Sequence, residues 1–179
     1  MAFGGDTLFV TTGFGTLTAL DPATGAVRWE QFLDAPATSA PSVRAGLVYV
    51  VTTAGLAWAI NSETGRIAWQ LQGLESPATM LGGAGPAISD RLVFIPFGSE
   101  ELVASFRRGG VRRWDASVSG DREGAVYATI TDITATPGVD GARVYSGNQS
   151  GRTVALDANT GARIWSAPHG AYGEVWPEG

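Results

Sequence analysis

The chain has 179 residues, of which 44% are hydrophobic and only 16% charged, a balance that supports a sizeable core and argues against disorder. Its net charge of −5 and pI near 4.8 disfavour nucleic acid as a partner, because phosphate binding needs a basic face. Cysteine is absent, which excludes disulfides, thiolate metal sites and a lipidated cysteine within this sequence, and no apolar run reaches the ~18 residues that span a bilayer.

Four related segments recur along the chain, each ending in tryptophan: ALDPATGAVRW (19–29), AINSETGRIAW (59–69), the degenerate ASFRRGGVRRW (104–114) and ALDANTGARIW (155–165). Their closing tryptophans are 40, 45 and 51 residues apart. Self-similarity at this period indicates a repeat architecture, which usually builds surfaces rather than reaction centres.

Each unit contains several short runs of β-branched and aromatic residues separated by glycine, proline and Asx turn signals. Such runs predict antiparallel strands, and four strands in about 45 residues are typical of a propeller blade. No window has a sustained helical period, so almost no helix is expected. We therefore predict an all-β fold, a β-propeller of four-stranded antiparallel blades. The predicted segments are four blades at 1–36, 37–76, 77–126 and 127–171, and the start of a further blade at 172–179.

A tight Asx-x-x-Thr-Gly turn precedes the tryptophan in three of the units. The Asx side chain is expected to bond backbone N–H groups two or so residues on, and the glycine to supply the positive φ that closes the hairpin. Phe106 replaces the Asx residue in the third unit, so we expect a looser turn there. Each tryptophan is expected to pack between neighbouring blades. The residues assigned this structural role are Asp21, Gly25, Trp29, Asn61, Gly65, Trp69, Gly110, Trp114, Asp157, Gly161 and Trp165.

The repeated Ala-Leu-Asp-x-x-Thr-Gly-x-x-x-Trp pattern resembles the blade motif of quinoprotein-like, or PQQ-like, propellers, which are usually eight-bladed. That family contains quinone-dependent dehydrogenases and the BamB-like lipoproteins, which are non-enzymatic members of the outer-membrane β-barrel assembly machinery. The stretches 76–86 and 127–137 most resemble middle blades of the BamB-like group. The resemblance covers essentially the whole chain. It implies a periplasmic scaffold that needs no cofactor and does not itself insert into the membrane, with a parent protein anchored to the outer membrane.

The same resemblance implies binding to the POTRA domains of a BamA-like subunit through two loops between blades. The first family loop carries Leu-x-Leu-Arg-Gly, and the matching positions here are 78–82, where Met80 keeps the apolar character and Leu81 replaces the arginine. The second carries Asp-x-Asp and here reads Asp132, Ile133 and Thr134, which keeps only the first acid. We predict these five residues as partner-binding, since apolar loop residues often mark a binding surface; the alternative is that they pack under the neighbouring blade.

Other chemistry-bearing residues are weaker site candidates. The glycine pair at 13–15 lacks the helix and lysine of a phosphate loop, and the four arginines around 109–110 are expected to form a solvated hairpin tip. Glu100 and Glu101 are adjacent, so on a strand they would face opposite sides and make a poor acid–base pair. His169 is the only histidine, which excludes a histidine-based triad or multi-histidine metal site.

Two alternatives to a BamB-like scaffold stay open. One is a quinone-dependent dehydrogenase fragment, which is disfavoured because the chain lacks a vicinal cysteine pair and any Asp, Glu and Asn trio outside the turn motif. The other is a generic protein-binding propeller. In either case a repeat array without capping units leaves blade faces uncovered, so we expect association, most simply a homodimer that completes an eight-bladed ring.

Overall fold

Short β-branched and aromatic runs form sixteen strands in the described part of the computed structural model, which comprises residues 1–74, 83–98, 100–118, 133–148 and 151–171. The first sheet contains β1 (Ala2–Gly4), β2 (Thr7–Thr11), β3 (Thr16–Leu20) and β4 (Val27–Phe32). The second contains β5 (Ser42–Arg44), β6 (Leu47–Val51), β7 (Leu56–Asn61) and β8 (Ile67–Gln72). The third contains β9 (Ala87–Ile88), β10 (Leu92–Pro96), β11 (Glu101–Phe106) and β12 (Arg112–Ser117). The fourth contains β13 (Gly138–Asp140), β14 (Arg143–Asn148), β15 (Arg152–Asp157) and β16 (Arg163–Ala167).

Each sheet is an antiparallel meander in which the strands follow chain order. The first strands of successive sheets approach one another, β1 to β5, β5 to β9 and β9 to β13, which makes them the innermost strands and the tryptophan-bearing strands the outermost. The predicted propeller of four-stranded blades is therefore confirmed, and no helix occurs in the described residues. The residue bounds predicted for the blades stay a prediction, because the strands leave the connections between blades unassigned.

The Asx turn has the same hydrogen bonds in three blades. In the first blade, Asp21 Oδ1 accepts from the backbone N–H of Ala23 at 3.0 Å and of Thr24 at 2.9 Å, and from the Thr24 hydroxyl at 3.0 Å. Asn61 and Asp157 accept the equivalent bonds in the second and fourth blades. The third blade keeps the backbone bond from Gly110 N to Phe106 O, at 3.1 Å, without an Asx side chain to brace it.

Asp21 is also bound by a guanidinium. Arg28 donates to Asp21 Oδ2 at 2.9 Å and to Asp6 Oδ1 at 2.9 Å. The hydrogen bond from Arg28, supported by those within the turn, lowers the pKa of Asp21 to about 2. The surroundings of Asp21 therefore favour the charged form of its carboxyl group.

Each of the first three blades is joined to the next by its tryptophan. Trp29 Nε1 donates to Ser62 O at 3.0 Å, Trp69 Nε1 to Arg107 O at 2.9 Å, and Trp114 Nε1 to Ala158 O at 3.0 Å. The acceptor is always the residue that follows the Asx position of the next blade. A β-bulge one residue before each tryptophan, where the pairing to the third strand shifts register, directs the ring toward that blade.

The turn glycine of the next blade receives the ring. Gly65 has φ of 70°, and a Cβ atom at this position would lie 2.8 Å from the Trp29 ring. A side chain here would therefore be strained and would collide with the indole. Gly110 and Gly161 have the same contact with the tryptophans of the second and third blades.

The hydrophobic core lies between blades rather than within one. Three clusters fill the three interfaces, and the one between the second and third blades includes Tyr49, Trp69, Val93 and Phe97. Burial raises the pKa of Tyr49 to about 12. Because each blade supplies one apolar face to each neighbour, its faces are covered only when both neighbours are present.

The two ends of the blades form different surfaces. On the turn face, the first turn of each blade lies beside the Asx turn, as the bond from Ser62 N to Gly46 O at 3.0 Å shows. On the loop face, the turn between the second and third strands lies beside the connection to the next blade, as the bond from Gly73 N to Gly55 O at 2.9 Å shows. All connections between blades therefore begin on the loop face.

Candidate partner-binding face

The connections between blades become longer along the chain. Nine residues join β4 to β5, fourteen join β8 to β9, and twenty join β12 to β13. The two longer connections contain the predicted partner-binding residues. Met80, Leu81 and Asp132 lie outside the described residues, whereas Ile133 and Thr134 lie within them.

A buried carboxylate holds the start of the first long connection. Glu101, whose side chain is 7% exposed, accepts from Leu74 N at 3.0 Å through Oε2 and from Arg112 Nη1 at 3.0 Å through Oε1. The same guanidinium donates from Nη2 to Gln72 O at 3.1 Å. The third blade thus fixes the last described residues before Met80 and Leu81 through two side chains and two backbone groups.

A buried amide holds both ends of the second long connection. The side chain of Asn148 is fully buried, and its Nδ2 donates to Val118 O at 3.3 Å while its Oδ1 accepts from Arg152 N at 2.9 Å. Its backbone forms an antiparallel bridge with Ile133. Val118 and Ile133 flank the segment 119–132, so Asn148 ties together the two ends of the loop that contains Asp132.

The ends of the two long connections are hydrogen-bonded to each other. Gly85 N, in the first connection, donates to Thr136 Oγ1, in the second, at 3.0 Å. In the second connection, Thr134 Oγ1 donates to Ala171 O at 2.9 Å. The segments that follow Met80, Leu81 and Asp132 are therefore neighbours in space.

Ile133 is packed inside the protein. Its side chain is 4% exposed and belongs to the core between the third and fourth blades, beside Phe94, Trp114 and Val154. The reason is its bridge to Asn148, which sets the isoleucine in register with a buried strand end. The sequence left two interpretations open, and the structure has this side chain packed under the neighbouring blade. A partner could contact it only if Ile133 left the core.

The loop face has exposed apolar residues that the sequence pattern did not single out. Phe14, in the turn between β2 and β3, is 96% exposed, and Leu74, at the start of the first long connection, is also exposed. The exposure of Phe14 could have been predicted from the sequence, since a phenylalanine between two glycines at a hairpin tip has no neighbouring side chain to pack against.

The remaining residues that the sequence offered as weaker site candidates have structural roles or are exposed. Arg113, in the arginine cluster, donates to Asn159 O of the next blade at 3.3 Å, so the cluster contributes to blade contacts as well as to a solvated tip. Glu100 has φ of 63°, a left-handed conformation, whereas Glu101 is buried in its ion pair. His169 is exposed, and its carbonyl accepts from Thr153 Oγ1 at 2.6 Å.

The described residues offer little for metal or cofactor chemistry. No group of three or more His, Cys, Asp or Glu side chains among them could hold a metal ion. A groove of about 450 Å³ beside the innermost strands is lined by small and weakly polar residues, among them Ser39, Pro41, Gly85 and Thr136, and by no carboxylate. In the same part of the chain no helix is long and apolar enough to cross a membrane.

Comparison with known proteins gives one family. The family model described as outer membrane protein assembly factor BamB matches residues 1–179. A curated relative of that name from Alteromonas naphthalenivorans is 28% identical over 172 residues, which cover 96% of this chain and 41% of the relative. The chain thus spans less than half the length of this relative.

Among solved structures, that of BamB from Moraxella catarrhalis has a TM-score of 0.83 at 24% identity, covering 95% of this chain and 52% of that one. A europium-containing methanol dehydrogenase has a TM-score of 0.75 at 14% identity, covering 94% and 41%. Because both structures are less than 25% identical to the chain, the comparison with them shows a common fold only.

Proposed function

The chain belongs to the BamB family of outer membrane protein assembly factors, and on that premise we propose that it is a non-enzymatic scaffold of the machinery that assembles outer-membrane β-barrel proteins. Its partner is the POTRA region of a BamA-like subunit, which binds on the loop face through the connections that contain Met80, Leu81 and Asp132. The protein works in the periplasm, and its parent is anchored to the outer membrane.

The observation that carries this proposal is the hydrogen bond from Gly85 N to Thr136 Oγ1, which links the two long connections. Two loops whose ends are held side by side can contribute to one composite surface, and fixing their ends removes part of the ordering cost of binding. The buried anchors Glu101 and Asn148 add to this preorganisation. Ile133 serves in this scheme by positioning Asp132 rather than by touching the partner.

The residue types of the two connections favour a contact that is mainly apolar. Met80 and Leu81 would contribute apolar side chains and Asp132 a charge, and the exposed Leu74 adds apolar surface at the start of the first connection. Leu81 stands where the family pattern has arginine, so less of the contact is ionic. We therefore expect binding to depend only weakly on salt.

The test measures binding of purified POTRA domains by isothermal titration calorimetry. Met80→Asp combined with Asp132→Arg is expected to weaken binding by about thirtyfold. The first change places a charge in an apolar contact, and the second reverses the charge that faces the partner. The control, Val111→Asp with Glu63→Arg, makes the same charge changes at exposed positions on the turn face and is expected to bind as the wild type does. Unchanged binding by the loop-face variant, or equal weakening by both, would contradict the proposal.

A quinone-dependent dehydrogenase is the alternative function, and the fold shared with the methanol dehydrogenase is the observation that favours it. The match of residues 1–179 to the family model of outer membrane protein assembly factor BamB supports the scaffold instead. Incubation with the quinone and calcium separates the two, since a stably bound chromophore would overturn the scaffold proposal. Failure of the wild type to bind POTRA domains would favour a propeller with a different protein partner.

A further inference from the structure

The turn face of the third blade carries positive charge where the other blades carry negative charge. The turn at 106–110 contains two arginines and no acid, whereas the corresponding turns at 21–25, 61–65 and 157–161 each contain one acid and no base. The whole chain has a net charge of −5, so this reversal is local. An anionic partner that approaches the turn face is therefore attracted to the third blade and repelled by the turns beside it.

A pair of hydrogen-bonded positions shows how the charge is placed. In the second and fourth blades these positions hold small uncharged residues: Ser62 with Gly46, and Ala158 with Ala142. The third blade has the same backbone bond, from Arg107 N to Arg91 O at 3.0 Å, but arginine at both positions. Because two like charges at neighbouring positions repel each other, an anion bound between them is attracted by both.

These two arginines line a groove, here called the arginine groove, of about 340 Å³ together with Asp90, Phe106 and Arg108. The guanidinium carbon of Arg91 lies over the Phe106 ring, 5.9 Å from its centre. An aromatic ring and several cations therefore border the same space. Such a combination suits a ligand that has an apolar group next to negative charge.

The three guanidinium groups of the groove are available to an anion. No carboxylate oxygen of the described residues lies within 4.0 Å of them, and Asp90 is paired with Arg44 at 2.6 Å instead. Arg91 and Arg108 are exposed and Arg107 is partly exposed, so a ligand can reach all three. The planar fork of each guanidinium can bind both oxygens of a carboxylate at once.

We propose that the arginine groove binds an acidic segment of a protein partner, with carboxylates of the segment between the arginines and an apolar side chain against Phe106. A flat anionic membrane would also approach Glu63 and Asp157, because the turns of all blades lie on one face, whereas a narrow segment reaches the third blade alone. A free phosphate ion would be held by the guanidinium groups but would make no use of the aromatic ring.

The arginine groove lies on the face opposite to the loop face, where the POTRA region is proposed to bind. A segment in the groove leaves the two long connections accessible, so one copy of the chain can hold two proteins. This inference goes beyond the proposed function, and the two sites are tested by separate variants.

Nuclear magnetic resonance of the nitrogen-15-labelled chain tests the groove with short capped peptides. The acidic peptide Gly-Glu-Phe-Glu-Gly is expected to shift the backbone amide signals of residues 107–109 in a saturable way, and less so as the salt concentration rises. The neutral peptide Gly-Gln-Phe-Gln-Gly is expected to bind at least about tenfold more weakly. Gly-Glu-Ala-Glu-Gly, which lacks the aromatic side chain, is expected to bind about threefold more weakly.

Two double variants separate the groove from the overall charge. Arg91→Ala with Arg107→Ala gives the third blade the residues that the fourth blade has in the same backbone bond, so its fold is expected to be kept. This variant is expected to bind the acidic peptide at least about tenfold more weakly. The control, Arg66→Ala with Arg143→Ala, removes the same charge from exposed arginines that do not line the groove and is expected to bind within about twofold of the wild type.

Four outcomes would overturn the inference. Equal weakening by the two double variants would show that net charge alone attracts the peptide, and equal binding of the acidic and neutral peptides would exclude recognition of carboxylates. Inorganic phosphate that produces the same signal shifts at the same concentration would assign the groove to a small anion. Sedimentation of the wild type, but not of the groove variant, with phosphatidylglycerol vesicles would assign it to a membrane surface.

Binding of POTRA domains to the groove variant is measured by calorimetry as the separate readout. It is expected to equal that of the wild type, because the loop face is unchanged. Loss of POTRA binding in this variant would contradict two independent sites on opposite faces.

Discussion

The contact between a tryptophan and the turn glycine of the next blade predicts a specific cost for Gly65→Ala. Two terms add: about 1–2 kcal/mol for placing alanine at a left-handed φ, and about 1–3 kcal/mol for the collision of its Cβ with the Trp29 ring. About 0.4–1 kcal/mol is recovered from the smaller entropy of the unfolded chain. The expected loss of unfolding free energy is therefore about 1–4.6 kcal/mol.

Gly46→Ala is the matched control, in the same blade. Gly46 has φ of 80°, and a Cβ atom there would meet nothing within 4 Å. Only the conformational terms apply, so the expected loss is about 0–1.6 kcal/mol. The difference between the two variants, about 2 kcal/mol, is the contribution of the ring contact.

Urea unfolding followed by tryptophan fluorescence measures both losses as shifts of the midpoint at unchanged slope. Far-ultraviolet circular dichroism, recorded in parallel, establishes that both variants keep the sheet structure. Equal losses for Gly65→Ala and Gly46→Ala would refute the reasoning, because they would show that the tryptophan ring adapts to the added methyl group without cost.

Two further predictions concern the Asx turn and the loop anchor. Because the pKa of Asp21 is lowered to about 2, its ion pair with Arg28 stabilises the fold above pH ~4 and is lost as the pH falls toward 2. Between pH ~4 and pH ~2 the melting temperature of the wild type should therefore fall more steeply than that of Asp21→Asn. Parallel melting curves for the two proteins over this range would contradict the prediction. Asn148→Ala removes the side-chain hydrogen bonds to the buried Val118 carbonyl and to the Arg152 N–H, and it is expected to cost about 2–4 kcal/mol in urea unfolding. Asn159→Ala, at an exposed turn position, should cost less than about 0.5 kcal/mol.

The propeller was predictable because its signals are local and repeated. An Asx residue, a glycine four positions on and a tryptophan four positions later define a turn and a bulged strand within eleven letters, and three clear copies remove the ambiguity of one. Even the weak third copy, with Phe106 in the Asx position, keeps the backbone turn, because the neighbouring strands impose it.

The anchors of the candidate site were not predictable, because their partners are distant in sequence. Glu101 bonds to a residue 27 positions away and Asn148 to one 30 positions away, and neither belongs to the repeat. Burial decided the role of Ile133, which a sequence of small residues around it could not reveal. A single sequence shows which residues depart from the repeat, but it does not show which distant backbone groups they bind.

The indole bonds that link successive blades close over 33, 38 and 44 residues along the chain. The entropy of closing a flexible segment rises only with the logarithm of its length, so going from the shortest to the longest of these costs about 0.3 kcal/mol. Residues inserted between blades therefore cost little free energy of unfolding, because the indole hydrogen bond between the two blades forms in the same way whatever the length of the connection. Such a fold lets one surface diversify while the remainder of the ring is held constant, which is the condition under which an assembly factor can change its partner without losing its shape.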